Sequence, residues 1–416
     1  MNTDSTALET ASRRSGQPAH RVNTHDLERK GIEAFAMEFS GTGGEFFRVW
    51  IVNFLLTIVT LGFYTPFARR RTAQYFYSHT LVADSPLEFT AQQRKMVFGF
   101  LLLVALYMAF KLAADTGQDL AVAIFFVGGA LLAPWLWGSA MRFRLASTRW
   151  RGVRLQFRAL WSEVYRASWP VFAIALAWLV VALAFGALFD EKEKLRNLPL
   201  WTWLLPPAAL VGTILCVIRL EFNYKSLLVS RAAIGEHSGR WKPVYHDFLR
   251  IWLATLGVFL LSVLLVGALA ALAVGGSIAM FANIRSMGFV AIFIFAAMAI
   301  GFIFILFLAS APARAYREAR MLQLVWNNVG VGQIARFRCK LKARSYVLLR
   351  LKNMLLTLLT LGFYRPFAMV SEYRMKTQSI TLHVKGGVNQ LVSQLVQQQG
   401  ALGDAVADAV GLDLVG

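Results

Sequence analysis

Six apolar runs constrain this chain more than any other feature. They lie at roughly 97–114, 119–138, 170–189, 199–218, 251–274 and 287–310. As helices they would each extend about 27–36 Å, enough to cross hydrocarbon. Backbone amides find no water inside a bilayer, so such segments cross as helices. Composition agrees, with 57% hydrophobic and only 16% charged residues, where a soluble domain carries about a quarter charged. The expected class is an all-α polytopic membrane protein.

The runs form three pairs with short connections: DTGQD near 115, DEKEKLRN at 190–197 and FANIRS at 281–286. The long segments outside the pairs (65–96, 139–169, 219–250 and 311–352) hold 28 Lys and Arg, far more than their Asp and Glu. Lys and Arg collect on the cytoplasmic side, so these segments are assigned there. The same rule accounts for the net charge of +20, and a nucleic-acid partner is not expected.

A sixteen-residue phrase occurs twice. NFLLTIVTLGFYTPFA fills 53–68 and NMLLTLLTLGFYRPFA fills 353–368, identical at twelve positions. The apolar core of the first, Val49–Tyr64, is about 24 Å as a helix, short of the roughly 30 Å hydrocarbon layer. Two readings stay open: a short tilted span, or a re-entrant hairpin that leaves on the side it entered. The expectation is six full spans plus two such short segments.

Each membrane segment is followed by a basic exit helix and then strand-like alternation at 87–91, 153–159, 240–244 and 334–341. These read as small cytoplasmic β-hairpins. AFAMEFS (34–40) and SITLHV (379–384) each lack a neighbour in sequence and would pair to close a ring. Residues 1–33 read as a polar tail, 34–385 as the membrane domain, and 386–416 as an amphipathic, acidic tail.

Asn53, Thr57 and Thr60 share one helical face at i, i+4 and i+7, and Asn353, Thr357 and Thr360 repeat the pattern. The stripes could line a path or a headgroup site; interhelical hydrogen bonding is the plainer reading. Arg48 and Arg350 precede the phrases and are candidates for lipid phosphate, against simple snorkelling to the interface. His237 and His246 beside Asp247 read better as solvated loop residues than as metal ligands. No catalytic residue, metal or cofactor is assigned, and an enzyme is not expected. Membrane lipids are the expected partners, with a protein partner at the cytoplasmic face or the C-terminal tail.

Residues 39–80, the second phrase at 346–368 and the ending DAVADAVGLDLVG resemble the YjgN-type family of bacterial inner-membrane proteins. The resemblance implies an inner-membrane location and carries over no functional residue. Two functions remain in view: a transporter or channel-like protein for lipid or a small amphipathic solute, and a scaffold recruiting partners through its basic cytoplasmic layer.

Overall fold

The computed structural model describes residues 32–189, 200–235, 237–274, 289–332 and 334–386. The connections at 190–197 and 281–286, the tail at 387–416 and all but the end of the N-terminal tail lie outside them.

The chain divides into two compact units. One comprises residues 1–242, 327–338 and 377–416, and the other residues 243–326 and 339–376.

Eleven strands join in one antiparallel sheet within the first unit, β10 as far as Arg338. They are β1 (Ile32–Ala36), β2 (Glu38–Phe39), β3 (Thr80–Val82), β4 (Ser85–Phe89), β5 (Thr148–Trp150), β6 (Val153–Phe157), β7 (Ala232–Ile234), β8 (His237–Trp241), β9 (Val329–Val331), β10 (Ala335–Cys339) and β11 (Ile380–Lys385). The order is β1-β11-β10-β9-β8-β7-β6-β5-β4-β3-β2. Because β1 and β2 are separated only by Met37, residues 32–39 are in effect one strand. Its first part pairs with β11 (Phe35↔Leu382) and its last part with β3 (Phe39↔Thr80). The sheet therefore closes on itself and leaves no free edge.

This corrects the expectation of an all-α protein with small hairpins: the strands form one continuous eleven-stranded sheet. The hairpins pair with one another as well as internally: β4 with β5 through Glu88↔Arg149, β6 with β7 through Gln156↔Ala233, and β8 with β9 through Arg240↔Gly330. A three-residue arm satisfies few backbone groups alone, and pairing on both edges satisfies the rest. Side chains stitch adjacent hairpins. Arg151 donates to Ala83 O and Ser85 Oγ of the preceding turn, and Arg158 donates to Gly235 O of the following one. Two of the turns have two central residues at positive φ, Ala83-Asp84 and Arg151-Gly152, the geometry that matches strand twist.

Helices fill the intervals: α1 (Gly43–Val59), α2 (Thr65–Ser78), α3 (Gln93–Asp115), α4 (Asp119–Ala146), α5 (Trp161–Ala167), α6 (Trp169–Phe189), α7 (Leu205–Arg231), α8 (Tyr245–Val274), α9 (Phe289–Asn328), α10 (Ala343–Leu359) and α11 (Arg365–Gln378). Among the described residues, five helices are long and apolar enough to cross a membrane: Gln93–Asp115, Leu120–Ala146, Thr202–Arg231, Tyr245–Leu269 and Ala296–Asn328. A sixth is the pair α5–α6 if it counts as one span, bent by 48°. Polar side chains hold that bend: Ser168 Oγ bonds Val164 O and the Tyr224 hydroxyl, and Asn223 donates to Ala167 O.

In the first unit α2, α4 and α7 pack against β4, β6 and β8 respectively. Trp137 of α4 meets Phe157 of β6 edge-on at 5.8 Å, and Tyr77 of α2 meets Phe89 of β4 at 5.3 Å. One sheet face thus carries Phe39, Val82, Trp150, Val153 and Phe157, all buried. Alternation sends Glu38, Glu88, Arg149, Arg154, Gln156, Ser238, Arg240, Arg336 and Arg338 to the opposite face.

Candidate functional site: the repeated hairpin and its basic groove

Each copy of the repeated phrase is a helix, a tight turn and the start of a second helix: α1–α2 in the first unit, α10–α11 in the second. Helix α1 opens with a reciprocal cap. Glu45 N donates to Thr42 Oγ1 and Thr42 N donates to Glu45 Oε2. The Thr42 backbone N–H, and after it the Thr42 side chain, hold the Glu45 carboxyl below the ordinary carboxylate range.

The turn explains the identical positions. Leu61 and Gly62 adopt φ of 49° and 94°, and Leu361 and Gly362 adopt 50° and 97°. Glycine is suited to its position because no Cβ opposes the left-handed conformation. Gly62 N donates to Thr57 O at 2.8 Å, and Gly362 N to Thr357 O at 2.7 Å, closing each first helix. Thr60 Oγ1 donates to Leu56 O at 2.7 Å and accepts from Tyr64 N at 2.9 Å. One hydroxyl therefore caps the end of one helix and the start of the next. Thr360 does the same between Leu356 O and Tyr364 N. The tips nevertheless expose apolar side chains, Leu61 and Leu361 at 91% each. A turn with capped polar groups and an apolar exterior suits hydrocarbon.

The polar stripes lie in the seams of their own hairpins. Asn53 is buried and its Nδ2 donates to Ala68 O at 3.4 Å, while Thr57 Oγ1 donates to Asn53 O. Asn353 is 2% exposed and its Nδ2 reaches Ala368 O, Ser371 Oγ and Glu372 Oε1. Thr357 Oγ1 donates to Asn353 O. Each stripe is a set of contacts within one hairpin, and the two hairpins belong to different units.

The two arginine candidates are treated differently by the fold. Arg350 is ion-paired to Glu318 and Glu372 and donates to the Tyr346 hydroxyl, and Lys376 binds Glu318 at 2.8 Å. Its charge is balanced inside the second unit. Arg48 has no acidic partner among the described residues. It is exposed and lines an open groove of about 350 Å³ with Val49 and Val52 of α1 and Arg71 and Gln74 of α2. The Arg71 guanidinium lies 5.8 Å from the centre of the Tyr64 ring and forms no ion pair among the described residues.

Arg71 and Gln74 were not among the sequence candidates. Arg71 belongs to the run Arg69–Arg71, which reads in sequence as a topology signal. Its pairing with Arg48 depends on the hairpin turning back, a feature the sequence leaves open. Glu318 likewise meets Arg350 across 32 positions with no local spacing to announce it.

The profile of DUF898, described as a bacterial protein of unknown function, matches residues 34–409. Over 171 residues the chain is 25% identical to Inner membrane protein YjgN of Escherichia coli O157:H7, covering 41% of this chain and 42% of that protein. Over 160 residues it is 28% identical to Inner membrane protein YjgN of Salmonella typhimurium strain LT2, covering 38% and 39% respectively. These matches span about two-fifths of the length of the curated relatives. No solved structure matches.

Proposed function

We propose, from the premise that the chain belongs to the DUF898 family and is a multi-pass protein of the bacterial inner membrane, that it is a transporter or channel-like protein for an amphipathic anion of the lipid class. The groove between α1 and α2 carries this reading. It sets two guanidiniums that lack an acidic partner among the described residues beside Val49 and Val52, a combination suited to a phosphate joined to an acyl chain. The hairpin's position supports it. Strands β2 and β3 are paired neighbours, so the chain leaves the sheet and returns to it after one helical turn-back. With the basic layer in the cytoplasm, the hairpin enters the bilayer from the cytoplasmic side and ends within it. The groove then opens at the inner-leaflet headgroups.

The test compares wild type with the double variant Arg48→Gln/Arg71→Gln. Native mass spectrometry from mild detergent should show an anionic phospholipid on the wild type and its loss from the variant. Vesicles containing labelled phosphatidylglycerol should show faster transbilayer exchange with the wild type only. Wild type that retains no lipid and leaves exchange unchanged would overturn the reading.

One observation favours a scaffold instead: Asn53 and Asn353 spend their amides inside their own hairpins, where they line no path. Capture of a specific protein partner together with absence of lipid exchange would support that alternative.

A further inference from the structure

The opposite face of the closed sheet is strongly basic. Register carries one face around the strands: Glu88 opposes Arg149, Arg149 opposes Arg154, Ser238 opposes Ala233, and Arg240 opposes Gly330, which opposes Arg336. Arg338 follows two residues after Arg336 on the same face. Lys385 joins them through its partner Ile32, which shares a face with Glu38 further along that strand. Six cations therefore share this face with two acids, Glu38 and Glu88.

Which face is the lumen follows from size. With β1 and β2 counted as the one strand they form, ten strands spaced about 4.8 Å apart close to roughly 15 Å between backbones when untilted, and somewhat more with tilt. A helix with its side chains is about 10–12 Å wide. Helices α2, α4 and α7 each pack on a different hairpin, and three such helices cannot fit inside. The helices lie outside, and the arginine face lines the lumen.

Like charges gathered around a lumen are costly unless something neutralises them. Arg149, Arg240, Arg336 and Arg338 have no ion-pair partner among the described residues, and the buried Arg149 Nε has no hydrogen-bond partner there. Glu88 stands opposite Arg149 without forming a bridge to it. A ring of that width walled by arginine side chains has room for a small anion and none for a folded partner.

We propose that the lumen of the strand ring is an anion site that takes a compact multivalent phosphate from the cytoplasm. The site is separate from the α1–α2 groove and stands whether or not that groove binds lipid.

The experiment uses the full chain in nanodiscs, titrated calorimetrically with inorganic tripolyphosphate. Wild type should bind saturably, and raising salt from low to about 0.5 M should weaken binding by about tenfold or more, since screening acts on such contacts. Arg240→Gln/Arg336→Gln/Arg338→Gln should weaken binding by at least about tenfold, while the corresponding triple Lys variant retains most of it. Arg48→Gln/Arg71→Gln should leave it unchanged, which separates this site from the lipid reading. Should the triple Gln variant fail to fold, Arg338→Gln alone, at a strand position that is not buried, should still weaken binding several-fold. Absence of saturable binding by the wild type would overturn the proposal. So would wild-type affinity in a folded triple or single Gln variant.

Discussion

Replacing each seam asparagine with leucine should affect the two hairpins very unequally, although the residues occupy identical places in the repeat. Asn353 Nδ2 lies 3.0 Å from Ser371 Oγ, 3.1 Å from Glu372 Oε1 and 3.4 Å from Ala368 O. Hydrogen bonds to neutral groups contribute about 1 kcal/mol and those to charged groups about 1.5–3, while buried polar pairs in membrane proteins run lower, near about 0.6. Leucine keeps the same branched, four-heavy-atom shape, so Asn353→Leu should cost about 2 kcal/mol. Among the described residues the Asn53 side chain makes only the 3.4 Å bond to Ala68 O, and its Oδ1 is buried without a partner there. Asn53→Leu loses little and relieves a desolvated carbonyl, for a change within about 0.5 kcal/mol of zero. Local opening reports these energies directly. Hydrogen exchange of the full protein in nanodiscs should quicken about thirtyfold over 343–378 in Asn353→Leu, since about 1.4 kcal/mol is tenfold. Exchange over 43–78 should change less than about threefold in Asn53→Leu. Equal effects, or a larger effect at Asn53, would refute the reasoning.

Four further outcomes follow from the same geometry. Gly362→Ala at φ 97° should destabilise the α10–α11 turn by about 1–2 kcal/mol, whereas Gly257→Ala, with open space at its Cβ, should be neutral in a melting assay. Gly239→Ala would place a Cβ 2.0 Å from Val229 O, so the variant should lose monodispersity on size exclusion. Arg151→Ala removes the stitch to Ala83 O and Ser85 Oγ and should raise exchange at 80–89 several-fold, without affecting 380–385. Finally, the lowered pKa of Glu45 means its capping contribution is complete above the ordinary glutamate range. It is lost as pH falls through the depressed value, so protection of the Thr42 amide should drop on acidification, while Thr42→Ala should instead expose the Glu45 amide.

Much of this fold was legible because the signals are local. The twelve shared positions of the repeat announce one device twice, and the turn gives its polar and glycine members distinct roles, since Thr60 caps two helices and Gly62 turns the chain. The pairing of the first strand with the last also follows from each lacking a neighbour in sequence. The register that joins one hairpin to the next in that ring is far less visible. Arms such as Thr148–Trp150 and Val329–Val331 are three residues long and follow directly on helices, so they carry no alternation of their own. The arginine lumen was hidden for a related reason. Arg336 and Arg338 alternate plainly, but only inter-hairpin register aligns them with Arg240 and Arg149. Whether the repeat spans or turns back was undecidable from its length, because a helix of about 25 Å falls between the two cases.

The central claim is that the first repeated hairpin, α1–α2, rises from the strand ring and returns to it without crossing the bilayer. Single cysteines at Thr42, Leu61 and Ser78, introduced one at a time into a chain lacking Cys216 and Cys339, test it in oriented membrane vesicles. Positions 42 and 78 should label with a membrane-impermeant thiol reagent from the cytoplasmic side alone. Position 61 should label from neither side and should respond to a quencher carried on lipid chains. Labelling of 42 and 78 from opposite sides, or of 61 from the periplasmic side, would contradict the account.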